Sequence, residues 1–129
     1  MAKAVQLTVC LENKRGQAAK LGEVLAKAGV NILAISVVDT TDTGLVRVVV
    51  DSAAKAAAAL EKAGMKATRQ SVLTVSLPNE PGALAAVAGK LAKAGVSISY
   101  LYGSAPKAAC EATVVIGVDD LEKAMRVVG

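Results

Sequence analysis

The sequence predicts an α+β fold made of two copies of one small unit. The chain repeats itself, runs of two-residue alternation give way to runs of helical spacing, and glycines close the helical runs at matching places. Shifting the chain by 66 residues lays Leu7 to Ile32 over Leu73 to Ile98 without a gap, and 14 of those 26 positions are identical. A repeat of this length decides the architecture, because each copy is near the lower size limit for a self-sufficient core and needs a neighbour to bury enough surface. Two repeats are expected, over residues 1–70 and 71–129.

Val5, Leu7, Val9 and Leu11 alternate with Gln6, Thr8 and Cys10, which is the period of a strand with one buried face. Ala18, Leu21, Gly22, Leu25 and Ala28 then recur at helical spacing, Lys20, Glu23 and Lys27 take the other side, and Gly29 is placed to end the helix. Val30 to Val38 and Leu45 to Val50 are β-branched runs around the turn Thr40 to Gly44, a hairpin pattern. Ser52 caps a second helix, Ala53 to Ala63, which Gly64 stops, and Met65 to Gln70 reads as a fourth strand. The order strand, helix, strand, strand, helix, strand folds most simply as a ferredoxin-like βαββαβ unit with both helices on one face of an antiparallel sheet.

The second copy follows the same plan. Its elements are a strand Val72 to Leu77, a helix Gly82 to Ala94, strands Val96 to Tyr102 and Glu111 to Val118, and a helix from Asp119 or Asp120, which cap it, to Val128. The chain stops there, so the second repeat is expected to lack its last strand and the total to be seven. Tyr100 and Tyr102 point to one face, as core or interface filling. Thr8, Cys10, Arg47, Val49, Thr74, Thr113 and Val115 are expected on the sheet face away from the helices, a mixed surface suited to a second chain, and a homodimer is expected.

Composition excludes several functions. The net charge of +4 admits a nucleic-acid partner, but the lysines are interleaved with glutamates along helices and loops, and the two tyrosines are the sole aromatics, so paired base-stacking aromatics are lacking. With no His and no CxxC, no metal site or cofactor is expected, and Cys10 and Cys110 read as buried or half-buried thiols of a cytoplasmic protein. No apolar run is long enough to span a membrane, and Met1 to Leu11 is too short and strand-like for a signal peptide. No nucleophile stands with a plausible base and no Gly-rich phosphate loop occurs, so catalysis is not expected.

The residues that carry chemistry lie between the first strand and first helix of each copy: Asn13-Lys14-Arg15-Gly16 and Asn79-Glu80-Pro81-Gly82. Glycine permits a tight turn, the helix N-terminus beyond it offers unpaired amides to a carboxylate, and the Asn amide can donate or accept. The same residues also serve a purely structural role as helix cap and turn. Both copies resemble the ACT domain, the small regulatory unit attached to many enzymes of amino-acid metabolism. The resemblance rests on the run Asn79-Glu80-Pro81-Gly82-Ala83-Leu84 in copy two and Gly29-Val30-Asn31-Ile32 in copy one, and it covers nearly the whole chain.

The resemblance implies an amino-acid site between the strand-to-helix loop of one unit and the start of the second strand of its neighbour. One site would comprise Asn79, Glu80, Pro81, Gly82, Ala83 and Leu84 with Asn31 and Ile32, where Ala83, Leu84, Ile32 and Val87 suggest a modest apolar cavity. The reciprocal site, Asn13, Lys14, Arg15, Gly16 and Gln17 with Ser97 and Ile98, departs from the family pattern at Arg15, where Pro is usual, and at Ser97, where Asn is usual. It is expected to be weaker or differently selective. The function implied is a non-catalytic, allosteric sensor of a small amino acid. The alternatives are a regulatory subunit of an acetolactate-synthase-like enzyme and, last, a ferredoxin-like nucleic-acid binder.

Overall fold

The computed structural model describes residues 2–12, 15–39, 43–105 and 111–128. Along the chain these form β1 (Ala2–Glu12), α1 (Gln17–Lys27), β2 (Ile32–Asp39), β3 (Thr43–Val50), α2 (Ala53–Lys62), β4 (Ala67–Pro78), α3 (Ala83–Lys93), β5 (Ile98–Ser104), β6 (Glu111–Val118) and α4 (Leu121–Val128). The class is α+β with tandem ferredoxin-like repeats. The chain divides into a first unit, Val5–Gln70, and a second, which joins residues 2–4 to residues 71–128.

Six strands, not seven, occur among the described residues, because the expected fourth strand of copy one and first strand of copy two are a single strand, β4. From Lys66 to Leu77 there is no Gly or Pro to break the extended backbone, so nothing interrupts it at the repeat boundary. Its residues 67–70 belong to the first unit and the rest to the second. In the second unit the Thr74 hydroxyl donates to the carbonyl of Ala2 at 3.2 Å.

In the first unit β3 lies between β1 and β2, antiparallel to both, with Leu7 opposite Val48 and Ile35 also opposite Val48. Leu7, Val9, Leu11, Val46, Val48 and Val50 face Leu21, Leu25, Ala56 and Leu60 from the helices, all buried in one core. The second unit repeats this: β6 lies between β4 and β5, Leu73 is opposite Ile116, and Leu73, Val75, Val114 and Ile116 pack with Leu91 and Ala124. Matching registers make the offset between copies 66 residues at β1 and β4 but 68 at β3 and β6, since Leu7–Val48 becomes Leu73–Ile116. The extra two residues fall in the connection between β5 and β6.

Three helices end alike. Gly29, Gly64 and Gly95 have φ of 71°, 78° and 78°, a conformation a side chain resists. Their amides donate to Ala26, Glu61 and Ala92, and the next residues, Val30, Met65 and Val96, donate to Leu25, Leu60 and Leu91 at 2.8–2.9 Å. These are Schellman motifs. In each, the residue after the glycine is buried with its hydrogen-bond partner. That use of Val30 and Val96 moves the strand starts from the expected 30 and 96 to Ile32 and Ile98.

Ser52 caps α2 as expected, its Oγ accepting from Lys55 N at 3.4 Å. Asp120 does the same for α4, accepting from Lys123 N at 3.0 Å, but Asp119 does not cap. Its carboxylate instead accepts from Ser97 N at 2.9 Å, while its own amide donates to the Ser97 carbonyl. Asp51 and Asn31 form the same reciprocal pair in copy one, at 3.0 and 3.1 Å.

The sheet face away from the helices is less open than expected. Val49 and Val115 are buried, and Gln6 on that face is fully buried, its amide donating to Thr8 Oγ1 at 3.4 Å. Tyr100 fills space there: a Cβ on Gly117 would lie 2.3 Å from the Tyr100 ring, so the ring rests directly on the glycine backbone. The matching pair in copy one is Ala34 opposite Val49, so large and small have changed places between the copies. Cys10 is exposed rather than buried, and Cys110 lies outside the described residues. Among the described residues no helix is long and apolar enough to cross a membrane.

Candidate functional site

The segment between β4 and α3 is two turns in succession. Glu80 N donates to the Pro78 carbonyl at 2.9 Å, a three-residue turn centred on Asn79. Ala83 N donates to the Glu80 carbonyl at 3.3 Å, closing a four-residue turn in which Pro81 and Gly82 are central. Gly82 has φ 89° and ψ −10°, the third-position geometry of a type II turn, which demands glycine, while the fixed φ of proline suits the second position. A Cβ on Gly82 would meet nothing within 4 Å, so conformation and not crowding selects the glycine. Gly16 repeats the geometry at φ 87° and ψ −2°. Any residue with ordinary φ fits the preceding position, so Arg15 can stand there in place of Pro.

Gly82 is the N-cap of α3 and, having no side chain, makes no cap hydrogen bond of its own. Asn79 stands three residues before that N-cap. The first intrahelical bond runs from Ala86 N to the Gly82 carbonyl at 3.0 Å, and the first turn holds no acidic residue. The amides of that turn give the helix its positive end. Gly16 is likewise the N-cap of α1 and supplies no side-chain cap.

Asn79, Glu80, Ala83 and Leu84 line a cavity of about 350 Å³ together with Leu77, Pro78, Leu101, Gly103, Ser104, Ala105, Ala112 and Val114. Every one of these residues belongs to the second unit. Pro81 and Gly82 line instead a second cavity of about 440 Å³ on the other side of the turn, with Val87, Lys90 and Val128. The turn thus stands between two hollows, with Glu80 and Ala83 bordering both. In copy one a smaller hollow of about 240 Å³ occupies the place matching the second of these, lined by Cys10, Glu12, Gln17, Lys20 and Met65.

Asn31 and Ile32 lie in the first unit, where Ile32 packs against the core and Asn31 is exposed. Both backbone polar groups of Asn31 are engaged by Asp51, which leaves the side-chain amide as the part that can meet a ligand. Ser97 is held the same way by Asp119, and Ile98 packs against the second core. Arg15 and Gly16 are exposed and Gln17 is half-buried, while Asn13 and Lys14 lie outside the described residues.

Sequence reasoning missed the far wall of the first cavity, Leu101, Gly103 and Ser104 from β5 and Ala112 and Val114 from β6. Gly103 was the available signal, since glycine inside a strand marks a close approach: a Cβ there would lie 2.9 Å from the Thr113 carbonyl. Among the described residues no group of three or more His, Cys, Asp or Glu is placed to hold a metal ion.

A family model described as an ACT domain pair matches residues 2–128. Among solved structures, protein BT0572 from Bacteroides thetaiotaomicron is 38% identical, over 97% of this chain and 85% of its own, with a TM-score of 0.91. The regulatory subunit of aspartate kinase from Thermus thermophilus, ligand free, is 21% identical over 99% of this chain and 95% of its own, with a TM-score of 0.72. That from Thermus flavus is 22% identical with the same coverages and a TM-score of 0.64. At these lower identities the likeness is one of fold. No curated protein matches the chain. The family model spans nearly the whole chain, and the chain belongs to the ACT domain pair family.

Proposed function

We propose that this protein is a non-catalytic sensor that binds a small amino acid at an interface between ACT units. The cavity at the Asn79 turn carries the reading. It opens beside the N-terminus of α3, where backbone amides can receive the ligand's α-carboxylate, and Asn79 and Glu80 on its rim can receive the ammonium group. Asn31 and Ile32, supplied by a first-copy unit, complete the site. Arg15, Gly16 and Gln17, with Asn13 and Lys14, and Ser97 and Ile98, form a weaker counterpart.

Ligand wedged between two units stabilises one relative arrangement of them, and only a difference in affinity between arrangements transmits a signal. A homodimer supplies further units. Its support is β2, an outer strand of the first unit whose Leu33, Ile35 and Val37 are 62%, 49% and 59% exposed, with no Lys or Pro to blunt the edge. A second copy offers an equally apolar strand.

A screen of the twenty amino acids by thermal shift tests the sensor reading, since a specific ligand raises the melting temperature with saturation. No shift with any of them would defeat it. A second reading, a regulatory subunit of an amino-acid biosynthetic enzyme, draws support from the aspartate kinase regulatory subunits that share the fold. Capture of a large catalytic subunit tests that reading. Nucleic-acid binding ranks last, because the lysines are interleaved with glutamates and the two tyrosines are the sole aromatics.

A further inference from the structure

We infer that the amino acid received at the Asn79 turn carries an aliphatic side chain, seated between α3 and β5; this rests on the sensor reading above. Leu84 on α3 and Leu101 on β5 line the cavity and are 44% and 40% exposed, two large apolar side chains on different elements left partly open to water. Leu77, Ala112 and Val114 continue the apolar lining. Burying a leucine-sized ligand group against such walls is the interaction they are built to gain from.

Among the described residues the lining holds no cationic side chain, and its one charged residue is Glu80 at the turn. An acidic ligand side chain would be repelled by Glu80, at a cost that rises as water is excluded. A basic one would compete with the ligand's own ammonium for that single carboxylate. At about 350 Å³ the cavity stands at the lower end of ligand pockets, room for an amino acid with a compact side chain.

These walls are peculiar to the second copy. Where copy two has Leu84, Leu101 and Gly103, the 66-residue shift places Ala18, Ile35 and Val37 in copy one. Gly103 matters because a side chain there would collide with the Thr113 carbonyl and lie 3.0 Å from Val114 Cγ2, against the cavity lining.

Calorimetric titration of the full chain with leucine, isoleucine, valine, phenylalanine, lysine and aspartate tests the inference, alongside the variants Leu84→Gln, Leu101→Gln and Asn79→Ala. The aliphatic ligands are expected to bind at least about tenfold more tightly than the others, and each leucine variant to weaken that binding by about tenfold, the loss of one apolar wall. Leu84 sits on an exposed helix face, so its variant keeps the fold even if Leu101→Gln does not. Tighter binding of lysine, aspartate or phenylalanine that Asn79→Ala abolishes would overturn the aliphatic assignment and leave the sensor reading standing. Aliphatic binding indifferent to both leucine variants would overturn it too. Absence of binding by every amino acid would defeat the sensor reading itself.

Discussion

Tyr100 and Gly117 face each other across β5 and β6 where copy one has Ala34 and Val49, and restoring the first-copy pair tests whether the two halves are packed by one rule. Gly117→Val alone places a Cβ 2.3 Å from the Tyr100 ring and must displace it, which costs about 1–3 kcal/mol for overpacking. Tyr100→Ala alone strips a half-buried ring from a bare glycine backbone, a loss of about 2 kcal/mol. Combined, the introduced valine occupies the space the ring has left, as Val49 does beside Ala34. The double variant should therefore be more stable than the sum of the single losses by at least about 1 kcal/mol. Urea denaturation followed by far-ultraviolet circular dichroism on the four proteins measures the coupling. Losses that add within about 0.5 kcal/mol would refute the exchange of volumes.

Gly95→Ala should destabilise the protein by about 1–2 kcal/mol, because φ is +78° there although a methyl group would meet nothing within 4 Å; an unchanged denaturation midpoint would contradict this. Asp51→Ala and Asp119→Ala should each cost about 1 kcal/mol by removing the acceptor for the Asn31 or Ser97 amide, with faster hydrogen exchange at that amide as the specific sign. Val37→Lys puts a charge on the exposed β2 stripe and should convert a dimer into a monomer in sedimentation equilibrium without lowering the denaturation midpoint; an unchanged mass would remove β2 from the interface.

What could be read from the sequence was local chemistry. Gly29, Gly64 and Gly95 announce helix ends because the left-handed cap lies within three residues of the signal. Pro81-Gly82 announces its turn because type II geometry is a property of adjacent residues. The continuity of β4 was hidden, since the mark of an unbroken strand is only a missing breaker, and the repeat boundary at residues 70 and 71 invited a division there. Asp51 and Asp119 were visible as carboxylates, but their partners lie 20 and 22 residues earlier, and Asp119 looks no different from its capping neighbour Asp120.

The site divided along the same line. The turn itself, Asn79 to Leu84, could be located because loop, glycine and helix start are contiguous. The opposing wall from β5 and β6 depends on cross-strand register, which shifts between Ile98 and Tyr100 and is offset by two residues from copy one, so the repeat could not supply it by analogy.

The most direct test of the sensor account is calorimetric titration of the tightest-binding amino acid into the native chain and into the Asn79→Ala, Asn31→Ala double variant. Loss of hydrogen bonds to a charged ligand should weaken binding by at least about tenfold. An affinity identical in the two proteins would show that the ligand is held elsewhere.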